Sequence, residues 1–244
     1  MKVTVLGNQG PFPGADGACT GFLLQSEDSN ILIDCGSGVI SRLQKYCKLE
    51  ELDAIVLSHL HSDHSSDMFV LRYAMQAKLM TKTIEGPIDV YTPLTPEKYY
   101  RELDFNDVFK LHSLNDGMVV NIKGFKFIFY LTEHPVECYG MRVIKDGKIF
   151  AYSADTIYTD NIIKLAEEAD LFLCEANATE NIRKTSNPPH LSVKEACDIA
   201  RKAKAKKLLL THFWFEEPKE NYEKDAYGEF PDVCLSEAFK EYEV

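Results

Sequence analysis

Between Asp53 and His64 a short apolar run gives way to a turn crowded with groups that can hold a metal ion. Ala54-Ile55-Val56-Leu57 reads as a buried strand. His59, His61, Asp63 and His64 then supply four donors within six residues. Imidazole nitrogen and carboxylate oxygen are the donors a borderline cation such as Zn²⁺ takes. His59 and His61, two apart in an extended turn, can converge on one ion. The adjacent Asp63 and His64 are expected to diverge and so to serve a second ion beside the first. Only seven histidines occur in 244 residues, and three of them lie here, which argues against ordinary solvated loop residues.

Three further donors follow predicted strands. His134 comes after a strand ending at Leu131, Asp155 after one ending near Ser153, and His212 two residues after Leu208–Leu210. If these strands end at one edge of a layered sheet, their donors meet there. Taken singly, each histidine is more often a hydrogen-bonded structural residue, and Asp155 a turn residue or cap. Beside the first cluster the reading reverses, because two cations need more than four donors.

The elements that must position these groups are legible in outline. Strands are predicted at Val3–Leu6, Gly21–Gln25, Ile31–Ile33, Ile88–Tyr91, Val119–Ile122, Phe125–Leu131, Met141–Ile144, Lys148–Tyr152, Leu171–Cys174 and Leu208–Leu210. Lys123-Gly124 and Asp146-Gly147 mark hairpin turns. Ser37–Cys47 has helical spacing, with Val39, Ile40, Leu43 and Tyr46 on one face. Asp67–Leu79 reads as a helix packed through Phe69, Val70, Tyr73 and Ala77. Thr95-Pro96-Glu97 reads as a helix start with threonine as cap. Thr159–Ala169 is amphipathic. Ser192 and Glu195 have capping-box spacing ahead of a helix to about Ala205, and Asp232 is expected to cap a closing helix to Tyr242. No repeat or linker interrupts the chain, so residues 1–244 are read as one domain.

Composition narrows the function classes. A 45% hydrophobic and 27% charged chain has the makings of an ordinary globular core. The formal net charge of −11 disfavours a nucleic-acid surface, which relies on basic stripes. The densest basic stretch, Arg201–Lys207, falls at a predicted helix end, where it complements the helix dipole. No apolar run approaches a membrane span, and Met1–Gly7 lacks the apolar core of a signal peptide, so a cytoplasmic location is expected. Seven scattered cysteines without a Cys-x-x-Cys pair fit reduced thiols. Only Cys35 lies in a loop expected to approach the metals.

The ordered set His59-x-His61-x-Asp63-His64, then His134, Asp155 and His212, resembles the metallo-β-lactamase superfamily, as does the Asp34-Cys35-Gly36 loop. The resemblance spans essentially the whole chain. It implies an α+β, four-layer αββα sandwich with a dinuclear site at one edge. One metal would take His59, His61 and His134, and the other Asp63, His64 and His212, with Asp155 bridging. Within the superfamily, Leu173-Cys174-Glu175-Ala176 and His190-Leu191-Ser192 with Ala196 look like the ribonuclease Z-like branch. There Glu175 would orient His190, and His190 would donate a proton rather than bind metal. Asp63, His190 and Glu175 are thus the candidate catalytic group. The interval from His64 to His134 shows no basic Gly/Pro-rich arm of the kind ribonuclease Z inserts for tRNA, and the loop Gly7–Gly21 departs from that family's pattern. A compact relative is implied, with a weak expectation of a homodimer.

These residues imply a phosphodiesterase with two divalent cations, zinc first and manganese or iron as alternatives, acting on a small anionic or ester substrate. A hydroxide bridging the cations would attack, and His190 would protonate the leaving oxygen. The rivals are hydrolysis of a carboxylic ester, thioester or lactone on the same centre, tRNA 3′-end processing, and non-catalytic metal or nucleotide binding.

Overall fold

The structure, a computed structural model, describes residues 1–27 and 29–244. The first half of the chain runs β1 (Lys2–Gly7), β2 (Gly21–Ser26), β3 (Ser29–Ile33), α1 (Val39–Leu43), β4 (Ala54–Val56), α2 (Ser62–Ser65), α3 (Met68–Met80), β5 (Ile88–Thr92), α4 (Glu97–Leu103) and β6 (Phe109–Ser113). The second half runs β7 (Val119–Ile122), β8 (Phe125–Leu131), β9 (Tyr139–Lys145), β10 (Lys148–Tyr152), α5 (Asp160–Ala166), β11 (Leu171–Glu175), α6 (Glu180–Arg183), α7 (Val193–Lys202), β12 (Leu208–Thr211), α8 (Lys219–Ala226), β13 (Val233–Leu235) and β14 (Glu241–Glu243). Two seven-stranded sheets result, ordered β14-β1-β2-β3-β4-β5-β6 and β13-β12-β11-β10-β9-β8-β7.

Side-chain alternation builds the four layers. Phe22, Leu24, Ile31, Ile33, Ala54 and Val56 of the first sheet pack with Phe127, Phe129, Met141, Phe150, Leu173 and Leu209 of the second, filling the space between sheets. The alternate residues Leu23, Leu32, Ile55 and Val90 turn outward onto α1 and α3. On the far side Phe172, Cys174, Leu208 and Leu210 meet α5, α7 and α8. A strand covered on both faces has no polar alternation, which is why residues 54–57 form a continuous apolar run. This is the expected αββα sandwich.

Strand direction is what gathers the site. β3, β4 and β5 are mutually parallel, as are β10, β11 and β12. β8 is antiparallel to β9, and β9 to β10, so β8 runs the same way as β10. In the second sheet the carboxyl ends of β8, β10, β11 and β12 therefore share one edge, and residues 134, 155, 175 and 212 lie at or just past them. In the first sheet Asp34 and the 59–64 turn leave β3 and β4 at their common end. Tyr139 donates its backbone N–H to Ser58 O at 2.9 Å, joining the two sheets at this edge. Both predicted hairpin turns are present, with positive φ at consecutive residues (51° and 80° at Lys123-Gly124, 51° and 74° at Asp146-Gly147).

Several local expectations are corrected. The 37–47 helix is only α1, and the chain turns away after Leu43 so that Tyr46 hydrogen-bonds Phe239 O. α3 buries Met68, Leu71 and Met75, whereas Val70 and Tyr73 are 61% and 56% exposed. Thr95 does not cap α4, because its hydroxyl is drawn to Glu137 Oε2 at 2.8 Å and Pro96 takes the cap position. The closing helix from Asp232 is instead two short strands. β13 extends one sheet beside β12, and β14 covers the β1 edge with Tyr242 buried. Edge pairing of otherwise open backbone outweighs helix formation there.

Candidate metal centre

The seven proposed donors converge. His61 stands at the N-cap position of the short α2, so Asp63 and His64 sit in its single turn. Both side chains turn to one group, their Oδ2 and Nε2 atoms 3.7 Å apart, and the expected divergence of these neighbours does not occur. The helical turn brings them together where an extended turn would separate them.

His59 Nε2 and His134 Nε2 lie 3.1 and 3.0 Å from His61 Nδ1. In the second group, His212 Nε2 is 3.2 Å from Asp63 Oδ2 and 3.3 Å from Asp155 Oδ2, while Asp155 Oδ1 is 3.3 Å from His64 Nε2. Asp155 also reaches toward the first group, with Oδ2 3.7 Å from His59 Nε2 and 3.9 Å from His134 Nε2. It therefore stands between the two groups. Four-coordinate zinc with bonds of about 2.0–2.1 Å separates its ligands by about 3.3 Å, close to these spacings.

The chemistry of the donors fits cations. His64 Nε2 and Asp155 Oδ1 are fully buried and, despite their proximity, lack the alignment of a hydrogen bond. Burying an unsatisfied polar group costs about 1–3 kcal/mol, a cost that a shared cation removes. Burial pulls His59 and His61 below the ordinary imidazole range and His134 down to about 4, so the first group is a set of neutral lone pairs. For His64 burial acts the same way, but the carboxylates of Asp155, Asp34 and Asp63 outweigh it and push its pKa well above the ordinary imidazole range. A cation in place of the added proton would serve the same carboxylates.

A buried network aims the donors. Asp34 Oδ2 accepts from His64 Nδ1 (2.8 Å), Ser58 Oγ (2.9 Å) and Tyr152 Oη (2.9 Å), and Oδ1 accepts from Ser58 N (2.7 Å). With its proton on Nδ1, His64 presents the Nε2 lone pair to the site. Asn177 Nδ2 donates to His212 O at 3.2 Å. Asp34, Ala154 and His212 all have left-handed φ (56°, 52° and 62°), a conformation that clusters at functional sites. Beside the donors, close approach requires glycine at two positions. A Cβ on Gly36 would lie 1.9 Å from Asp63 O, and one on Gly10 would lie 2.2 Å from His212 Nε2.

His190 and Glu175 stand beside the centre. His190 Nδ1 is 3.0 Å from Glu175 Oε1 and 3.8 Å from Asp155 Oδ2. Glu175 also accepts from the backbone N–H groups of Thr156 (2.6 Å) and Leu191 (3.3 Å). Cys35 is buried and belongs to none of the donor groups among the described residues, and burial raises its thiol well above the ordinary range. Sequence reasoning missed Ser58, Tyr152 and Asn177. None has a spacing signal, and each acts through a contact distant in sequence, Tyr152 across 118 positions.

A fold with donors at this edge defines the metallo-β-lactamase class of hydrolases. A family described as beta-lactamase superfamily domain matches residues 29–213, and the chain belongs to that superfamily. The probable metallo-hydrolase YhfI of Bacillus subtilis is 36% identical, over 93% of this chain and 92% of that one. The crystal structure of YhfI superposes with a TM-score of 0.93 at 34% identity, covering 99% of this chain and 98% of that one. A ribonuclease Z of Archaeoglobus fulgidus is 25% identical, over 100% of this chain and 94% of that one. Human tRNase Z, short form, shares the fold, with a TM-score of 0.78 at 22% identity over 100% of this chain and 99% of that one. No helix is long and apolar enough to cross a membrane among the described residues.

Proposed function

We propose that the chain is a dinuclear metal-dependent phosphodiesterase in which His190 protonates the leaving oxygen. The Glu175–His190 pair carries this reading. Its 3.0 Å contact places a carboxylate-oriented imidazole at the rim of the two donor groups. With Nδ1 committed to Glu175, Nε2 is the nitrogen that exchanges a proton with substrate, and no hydrogen bond engages it among the described residues. Burial would lower the His190 pKa, but Glu175, then Asp155 and Asp63, raise it to about 9. Cations on Asp155 and Asp63 would cancel their share and leave Glu175 to hold the proton.

Divalent cations bound by His59, His61 and His134 and by Asp63, His64 and His212, with Asp155 between, would bring water's pKa from 15.7 to about 7 and draw charge from the reacting centre. The residues divide the remaining work. Asp34 fixes the His64 tautomer, Glu175 fixes His190, and His190 Nε2 delivers its proton as the ester bond to the leaving alkoxide breaks. An alkoxide needs that proton far more than a thiolate does, so the pair favours a phosphodiester over a thioester. The relatives' names, metallo-hydrolase and ribonuclease Z, support hydrolysis. The net charge of −11 supports a small substrate over tRNA.

The test uses metal-loaded protein with four substrates: the activated diester bis-p-nitrophenyl phosphate, an unactivated alkyl diester, a p-nitrophenyl carboxylic ester and a thioester. Diester turnover should dominate, and His190→Ala should lower kcat on the unactivated diester about 10²–10⁴-fold with metal content intact. Unchanged turnover in that variant refutes the proton-donor role. Ester or thioester hydrolysis in preference to diesters refutes the phosphodiesterase reading.

A further inference from the structure

The loop that delivers His190 has little core to hold it. Lys184–Asn187 and Pro189 are exposed, and Pro188 is half-buried. Arg183, the last residue of α6, lies across this loop. Its Nη2 donates to His190 O at 2.7 Å and to Glu195 Oε2 at 3.0 Å. Its Nη1 donates to Pro188 O at 3.4 Å and to Asn187 Oδ1. Both ends of this bridge are anchored. Ile182 is buried and its N–H donates to Thr179 Oγ1, while Glu180 N donates to Asp225 Oδ2 at 2.6 Å. Glu195 Oε2 also accepts from Ser192 N at 2.7 Å, closing the capping box of α7.

We infer that Arg183 is a positioning residue for the reaction, its guanidinium pinning the 188–190 backbone so that the His190 ring stays between Glu175 and the donor groups. The inference rests on His190 being the proton donor. The planar fork suits the task because it reaches acceptors in several directions from one rigid plane, which an ammonium group cannot do. The guanidinium's contacts are to the protein's own oxygens, so its role differs from that of a cation kept free for substrate phosphate. His190 is thereby held twice, at Nδ1 by Glu175 and at its carbonyl by Arg183.

The experiment measures kcat and KM of metal-loaded wild type, R183K, R183A, H190A and the double variant H190A/R183A on phosphodiesters whose leaving groups range from p-nitrophenol to phenol to an alkanol. Metal content and melting temperature are recorded for each. The leaving-group dependence should steepen in R183A as it does in H190A. R183A should lose about 10–100-fold in kcat on the poorest leaving group and about threefold or less on p-nitrophenol, a part of the full general-acid contribution. R183K should fall between wild type and R183A, and it carries the test alone if R183A does not fold. The double variant should be no slower than H190A, since both changes remove one function. Additive losses, a rise in KM at unchanged kcat, or a wild-type leaving-group dependence in R183K each overturn the role of Arg183 and leave that of His190 standing. A flat leaving-group dependence in H190A itself overturns the proton-donor reading, and the role of Arg183 falls with it.

Discussion

Asp34→Asn isolates the charge that organises the buried network without changing its size. The carboxylate receives four hydrogen bonds, all from donors: Ser58 N, Ser58 Oγ, His64 Nδ1 and Tyr152 Oη, at 2.7–2.9 Å. An asparagine amide must turn its NH₂ toward one set. The milder orientation keeps the oxygen at the Oδ2 position and sets the NH₂ against Ser58 N–H. Three bonds then fall from charged to neutral strength, about 1 kcal/mol each, and one buried donor is left unpaired at about 1–3 kcal/mol. Hydroxyl rotation at Ser58 and Tyr152 recovers part of this, so a net loss of about 3–5 kcal/mol is expected. For a chain of this size that lowers the melting temperature by roughly 10 °C. Because His64 loses the acceptor that fixes its tautomer, affinity for the more weakly held metal should fall about 10–100-fold. Chelator competition and thermal unfolding of both proteins measure the two effects. An unchanged melting temperature together with metal affinity within twofold of wild type would refute the reasoning.

Gly10→Ala places a methyl group 2.2–2.7 Å from three atoms of the His212 ring, which must move away. Metal affinity should drop while far-UV circular dichroism stays unchanged, and wild-type affinity would show that the loop yields instead. Alkaline pH should destabilise the protein. Burial raises the thiols of Cys19 and Cys197 to about 12 and Cys47 to about 11, and also raises Cys35, Cys138, Cys174 and Tyr152 well above their ordinary values. Folded pKa values above the unfolded ones mean that the stabilisation is complete below about pH 8.5, the unfolded thiol value, and declines as pH rises toward the folded values. The urea midpoint should therefore fall between pH 8 and pH 10.5, and a level or rising midpoint contradicts this.

The sequence spells out what is local. His59 to His64 follow an apolar run that only a strand covered on both faces explains, and Ser192 with Glu195 forms the capping box its spacing implies. Asp146-Gly147 and Lys123-Gly124 supply the positive φ their hairpins need. What failed depends on tertiary partners. α3 is apolar nearly all round, so the choice of Leu71 and Met75 over Val70 and Tyr73 is made by the sheet it meets. β13 and β14 are three residues each and exist because an edge is open to them. β6, absent from the predicted strands, does carry a local signal, since Phe109 and Leu111 alternate with Lys110 and His112. At the site, residue types revealed the donors, but the groups that aim them, Ser58, Tyr152 and Asn177, become visible only once strand ends distant in sequence meet at one edge.

Elemental analysis of the protein, purified without chelator and dialysed against metal-free buffer, tests the central claim most directly. Two equivalents of divalent transition metal per chain are expected, with one group's share lost in a His59→Ala/His134→Ala double variant. Protein that retains no metal after saturation with zinc, manganese or iron would contradict the account.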